Sequence, residues 1–281
     1  MTLRLALAAV MLLALAGCSG AADSPAADAL SYATQTDPPV PHYAALIMDR
    51  ADYPEPAEIE RKATTPPPAD AKALGELWLE RLRERNGLEG ISYSGSGPDG
   101  PVQYLATTLT AREFDQWLAA NGWTAPKHIE FRFQDELHHP AVSEAAKGRI
   151  RIWPTSKVRT GMQNMAALYG RVYVKEGCFR VKGRDGSDKL AWFLAETGLD
   201  VDAEGYLILV NRFTGETMAR VGEEMVWAGP NGSPDSETAA RIHEACGPGE
   251  ITEVGNPESE ERFYTLAPHA RPTPLPESVG L

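Results

Sequence analysis

Tyr169-Gly170-Arg171-Val172-Tyr173-Val174-Lys175-Glu176-Gly177-Cys178-Phe179-Arg180-Val181-Lys182-Gly183 alternates apolar and polar side chains on both sides of a Glu-Gly turn. A period of two puts Val172 with Val174, and Phe179 with Val181, on one face of a pleated pair. The same texture continues through Leu190–Leu194, Tyr206–Arg212, Glu216–Val221 and Glu224–Ala228. Gly183 to Gly186, Glu204-Gly205 and Thr214-Gly215 supply turn chemistry between these runs. No proline occurs from Thr155 to Gly229, as expected where strands need every backbone donor. Six short strands at this spacing predict an antiparallel β-meander over residues 155–229, curled into a small barrel or sandwich.

Upstream, residues 68–154 mix the two periodicities. Asp70 is placed to cap a helix running to about Asn86, with Leu74, Trp78 and Leu82 as its apolar stripe and Gly87 as its stop. Glu80, Arg81, Arg83, Glu84 and Arg85 fall mostly on its wet side. Residues 90–101 read as a Gly/Ser/Pro loop, and Val102–Thr108 as a strand. Thr110-Ala111-Arg112-Glu113 is a capping box opening a helix through Phe114, Trp117 and Leu118, which Asn121-Gly122 ends. Ile129, Phe131 and Phe133 mark a strand, Val142 to Lys147 a helical turn, and Arg149–Trp153 another alternating strand. The fold class expected is therefore α+β: a small α+β unit followed by the β-meander module.

The two ends differ in composition. Residues 18–67 are rich in Ala, Pro, Ser and Thr and read as an extended tether, with one apolar island from Tyr43 to Met48. Residues 230–281 return to Pro, Gly and Glu; Ser236–Glu244 reads as a short helix, and the stretch from Pro268 as a disordered tail. The 281 residues carry a net charge of −12, but unevenly. Residues 155–229 are neutral and 68–154 carry −2, while 18–67 and 230–281 carry −5 and −6. The acidity is therefore assigned to solvated flanks, and the lack of a basic face argues against a nucleic-acid partner.

The N-terminus, Met1-Thr2-Leu3-Arg4, is followed by an apolar run from Leu5 to Ala16. That is the shape of a secretory signal and is short of the roughly 20 apolar residues that span a bilayer. Leu15-Ala16-Gly17-Cys18 resembles the lipobox of bacterial lipoproteins. The resemblance implies removal of residues 1–17, a diacylglycerol on the Cys18 sulfur and acylation of the new amino group. It also implies export, with an acyl anchor strong enough to hold the chain at the envelope. Ser19 at the second mature position resembles outer-membrane sorting in hosts with two membranes.

Within the body, Cys178 and Cys246 remain as an even pair in an oxidising compartment, which favours a disulfide between them. Gly95-Ser96-Gly97-Pro98-Asp99-Gly100 has the letters of a dinucleotide loop, but a strand follows where a helix is required. Asp135, Glu136, His138 and His139 are the densest set of metal-ligand types, with His138 and His139 as weak metal candidates. Neighbouring His side chains diverge, so a loop of solvated polar groups is the better account. Asp200-Val201-Asp202-Ala203-Glu204-Gly205 opens like a calcium loop but lacks the closing Glu, and reads as a hairpin turn. No serine-nucleophile elbow is present, so no catalytic residue is assigned. Most of the six tryptophans fall at positions that the periodicity assigns to a core, so core packing is expected over an aromatic sugar-binding platform.

The stretch from Gly170 to Gly229 resembles small β-meander modules of uncharacterised exported bacterial lipoproteins, a likeness that implies no activity. The function expected is a lipid-anchored, non-catalytic binding or assembly module of the cell envelope. It needs no cofactor, is held at the membrane by its anchor, and has an envelope protein or glycan as partner. The alternatives are a cell-wall or small-molecule hydrolase with an unrecognised acid/base site, and a solute-binding lipoprotein. A hydrolase should bring several of His128, Asp135, Glu136, His138, His139 and His243 together in one pocket.

Overall fold

The computed structural model describes residues 32–36, 59–97, 100–157, 159–160, 166–230 and 232–271. Residues 1–17, Cys18, the island Tyr43–Met48 and the tail beyond Arg271 lie outside the described residues. The chain is α+β. Its first part is a four-stranded sheet of β1 (Ile59–Arg61), β2 (Leu88–Gly97), β3 (Gly100–Thr107) and β4 (Ile129–Phe133), in the order β1-β4-β3-β2. Helices α1 (Ala71–Glu84) and α2 (Ala111–Asn121) share one core with it. Trp78, Leu79 and Leu82 of α1 and Phe114, Trp117 and Leu118 of α2 are buried with Leu105, Ile129, Phe131 and Phe133. The capping box forms: Glu113 N–H donates to the Thr110 hydroxyl, and Thr110 N–H to the Glu113 carboxylate. Gly122, at φ 65°, closes the helix in a left-handed conformation that suits glycine.

Because α2 is a crossover, β3 and β4 run parallel and end at the same edge of the sheet. Two expectations change here. Residues 90–97, 100 and 101, expected in a loop, belong instead to strands β2 and β3, paired from Leu88↔Thr107 to Gly97↔Gly100. Backbone pairing carries these strands where Gly and Ser supply no apolar alternation. Arg149–Trp153, expected as a strand, joins no ladder: Arg151 N–H donates to Gly177 O, and the first bridge is Thr155↔Phe193. Alternation marks an extended strap there.

The second part begins with β5 (Ala167–Lys175), β6 (Cys178–Gly183) and β7 (Asp188–Phe193), antiparallel neighbours. The chain then leaves this sheet. β8 (Thr197–Val201), β9 (Leu207–Asn211) and β10 (Thr217–Arg220) form a separate three-stranded sheet. β11 (Glu224–Ala228) returns to pair with β5. Ring closure comes from β12 (Ile251–Ser259), antiparallel to β11 and parallel to β7. The closed barrel is thus β11-β12-β7-β6-β5. It encloses Val172, Val174, Phe179, Val181, Ala191, Phe193, Met225, Trp227 and Val254 in a core shared with Leu199, Leu207 and Leu209 of the three-stranded sheet. Besides the short α3 (Glu144–Lys147) there is a longer helix, α4 (Ser236–Cys246); Leu190–Phe193 of β7 are buried on both faces, because Ala191 and Phe193 join the barrel core while Leu190 and Trp192 pack with Leu194 against Ile242 of α4.

The expected single meander is therefore two sheets, and residues 230–281 are more than a helix and a tail. They contribute α4, β12 and α5 (Glu260–Leu266). Their acidity is only partly that of a solvated flank: Asp235, Glu237, Glu244 and Glu250 are exposed, while Glu253, Glu258, Glu260 and Glu261 are buried or half-buried. Glu237 pairs with Lys157, Glu250 with Lys189, Glu260 with Arg184, and Glu258 with Arg262. The tether shows the same correction. Residues 32–36 dock on the second part, with Gln35 bridging Val174. The buried Gln35 amide donates to Leu207 O at 3.0 Å and Val221 O at 2.8 Å and accepts from Leu207 N–H at 2.9 Å. β1, also inside the expected tether, pairs Ile59↔Phe133. Proline-rich composition hid both, since each contact needs only a few residues.

Candidate functional site

The shared edge of β3 and β4 opens on a cleft of about 500 Å3. Arg85, Asn86, Thr108, Leu109 and Glu113 line it from the first part; Ser156, Lys157, Arg159, Ala195 and Arg212 line it from the second, and Leu137 from between them. Parallel strands bring their carboxyl ends, and the loops that follow, to one place, which is where ligands collect in related open sheets. The volume lies within the range of small-molecule sites. Four cations and one carboxylate line it, in a chain of net charge −12.

The two buried-side arginines are fixed by different means. Arg159, whose side chain is only 10% exposed, donates through Nη1 to Glu113 Oε2 at 3.0 Å and to Thr108 O at 3.3 Å. Arg212, just past β9, donates through Nε to His139 O at 2.9 Å and through Nη1 to Ala195 O at 2.5 Å. Among the described residues Arg212 has no carboxylate at ion-pairing distance, and its Nη2 has no acceptor. Burial, with the neighbouring Arg159 charge, pushes its guanidinium below the usual arginine range, against the pull of Glu196. Glu196 itself is buried and occupied, accepting from the Thr160 N–H and hydroxyl at 2.5 and 2.9 Å. Glu113 is likewise held, by Thr110 N–H and Arg159. Lys157 is tied to Glu237 at 3.1 Å, and Arg85 lies over the Trp117 ring at 5.6 Å. Leu109, Leu137 and Ala195 give the cleft a small apolar wall beside the polar groups of Asn86, Thr108 and Ser156.

The residues singled out from sequence do not gather here or elsewhere. His138 stands 3.3 Å from Asp135, and Glu136 pairs with Arg112 on the surface. The His139 ring lies against Gly215 in the β9–β10 turn, where a Cβ would stand 2.6 Å from it. His128 is buried in the first part, and His243 contacts Gly249 O beyond α4. Among the described residues no group of three or more His, Cys, Asp or Glu could hold a metal ion. Asp202, read as part of a hairpin turn, accepts from the Glu204 and Tyr206 N–H groups and pairs with Arg220 at 2.6 Å.

Cys178 and Cys246 stand at disulfide distance, with sulfurs 2.09 Å and Cα atoms 5.6 Å apart. They border a second cleft, of about 520 Å3, in which Asp188 accepts from both Tyr173 and Arg180. Of its charged groups, Arg180 and Asp188 form an ion pair at 2.9 Å. Trp78, Trp117 and Trp123 pack into the first core, Trp153 and Trp227 into the second, and Trp192 into a smaller cluster with Ile242. Sequence reasoning gave no site role to Arg159 or Arg212, which sit 53 positions apart, with Arg212 at the end of an expected strand. The available signal was indirect: basic residues in otherwise neutral segments. No family model, no curated protein and no solved structure matches the chain.

Proposed function

We propose that this protein is an exported, lipid-anchored binding module of the cell envelope, with its ligand site in the cleft at the shared edge of β3 and β4. The cleft supports this reading: both folded parts contribute walls, its side chains are pre-positioned, and its carboxylate is engaged in a helix cap and an ion pair. Pre-positioned groups favour binding because little freedom is lost when a ligand arrives. The lipobox-like segment ending at Cys18 supports the anchor, and the Cys178–Cys246 pair suits an oxidising compartment. In this reading the leash is short. Thirteen residues separate Cys18 from the docked Tyr32, a reach of at most about 45 Å.

Two measurements test the reading. Cys18→Ser should release the protein from the membrane fraction; unchanged membrane association would falsify the anchor. A photo-crosslinking residue at Leu137, in the cleft, should give specific adducts in cells. The same residue at Leu266, which is exposed outside the cleft, should not. Equal labelling from both positions would remove the cleft from the proposal.

A further inference from the structure

We infer that the cleft takes an acidic saccharide, a sugar unit bearing a carboxylate or phosphate whose oxyanion sits between Arg159 and Arg212. The inference rests on the binding-module reading and names its ligand class. Three observations converge on it. First, each arginine is braced on one edge by backbone carbonyls, Thr108 O for Arg159 and Ala195 O with His139 O for Arg212. A braced guanidinium presents its remaining N–H groups in a fixed direction, which suits the planar or tetrahedral oxygens of an oxyanion.

Second, the cleft carries more positive than negative charge, although Glu113 pairs with Arg159 and Glu196 lies near Arg212. Arg212 has no ionic partner among the described residues, and Arg159 is close enough to oppose its charge. An anion between the two guanidiniums would give Arg212 the ion pair that Arg159 already has in Glu113. Arg85 at the mouth adds a further positive charge for drawing an anion in, while the Lys157 charge is shared with Glu237.

Third, the rest of the lining suits a sugar. Asn86 contributes an amide and Thr108 a hydroxyl that donates to Asn86 O at 3.2 Å and can still accept, while Leu109, Leu137 and Ala195 form only a small apolar patch. A volume of about 500 Å3 holds a sugar unit together with its charged substituent. An exclusively apolar ligand would leave Arg212 without an ion pair, and a bare inorganic anion would leave most of the cleft unfilled.

The test is calorimetric titration of the full-length protein in detergent with glucuronate, glucose 6-phosphate, glucose and inorganic phosphate. Glucuronate and glucose 6-phosphate should bind saturably at millimolar concentration or below, and glucose should not. Inorganic phosphate should bind about tenfold more weakly than glucose 6-phosphate. Arg212→Lys keeps the charge but loses the braced fork, and should weaken the charged sugars about tenfold. Arg85→Gln with Lys157→Gln alters only exposed side chains, so folding is preserved, and should weaken them roughly threefold and flatten the salt dependence. Glucose binding as tightly as glucuronate would overturn the proposal, and so would no binding of either charged sugar. Inorganic phosphate matching glucose 6-phosphate would reduce the site to one for a free anion and overturn the sugar assignment. Affinities unchanged in both variants would move the site elsewhere. These failures are separable from failure of the binding-module reading, since that reading stands on the Leu137 and Leu266 adducts.

Discussion

Glu223 illustrates what single residues contribute to this fold. It sits in the turn between β10 and β11, is 4% exposed, and has burial pushing its carboxyl up to about 7, with Arg220 and Ser259 opposing the rise. A folded-state value above the unfolded one means that the folded protein holds the proton more tightly. Stability is then full below the unfolded value of about 4.5 and declines as pH rises toward 7. A difference of that size is worth about 3 kcal/mol by pH 8. Glu223→Gln should therefore raise the urea midpoint at pH 8 and leave it nearly unchanged at pH 4.5; equal gains at both pH values would refute the titration. Gln35 works in the opposite sense. Its amide satisfies two carbonyls and one N–H that link the docked strap to β9 and to Val221. Gln35→Ala leaves those groups buried and unpaired, and should cost roughly 2–4 kcal/mol in chemical denaturation. A loss below about 1 kcal/mol would show that water replaces the amide.

Among the elements, β5 and β12 decide closure of the ring. Gly170 is where β5 passes between β6 and β11, and a Cβ there would lie 2.8 Å from Lys182 O and 3.1 Å from the Trp227 ring. Neither the backbone carbonyl nor the packed indole can yield freely. Gly170→Ala should thus destabilise by about 1–3 kcal/mol, read as a lowered unfolding midpoint. β12 lies far along the chain from its parallel partner β7, and the Cys178–Cys246 pair ties α4, just before it, to the start of β6. The denatured, unreduced protein should show no titratable thiol from these two cysteines. Replacing both with Ser should cost up to about 4 kcal/mol, the chain-entropy figure for a separation of 68 residues. These elements also show what the sequence disclosed. Val172, Val174, Phe179 and Val181 announced β5 and β6 because one face of each is dry. Thr110 and Glu113 announced the start of α2 because a capping box is a local motif. β2 escaped notice because Gly and Ser pair through the backbone alone, and β12 because a parallel strand depends on a distant partner. The cleft was illegible for the same reason. Arg159 and Arg212 meet only after β7, β8 and β9 have been laid down, and no local periodicity encodes that meeting.

In the molecule as a whole, apolar packing separates what polar contacts join. One core runs from Trp78 to Phe133 in the first part, and the other from Ala146 to Val254 in the second. Between them the described links are polar: Arg159 to Glu113 and Thr108 O, and Gln134 Nε2 to Thr160 O at 3.1 Å. Links of this kind contribute little compared with either core. The two parts should therefore unfold as separable units, and the tryptophans are divided so as to report it. Trp78, Trp117 and Trp123 belong to the first core; Trp153 and Trp227 belong to the second, and Trp192 packs under α4. Phe114 is fully buried against Trp78, Trp117, Phe131 and Phe133. Phe114→Ala should cost the first part about 3–5 kcal/mol. Urea titration of a protein retaining only Trp117 should then show its transition moving to lower urea. The same titration of a protein retaining only Trp227 should keep its midpoint. If both probes move together, the polar links hold the parts in one cooperative unit. An anion between Arg159 and Arg212 would strengthen those links, since Arg159 already reaches Glu113 across the divide. Saturating glucuronate should therefore bring the two midpoints closer, which is how a cleft ligand would make one body of two.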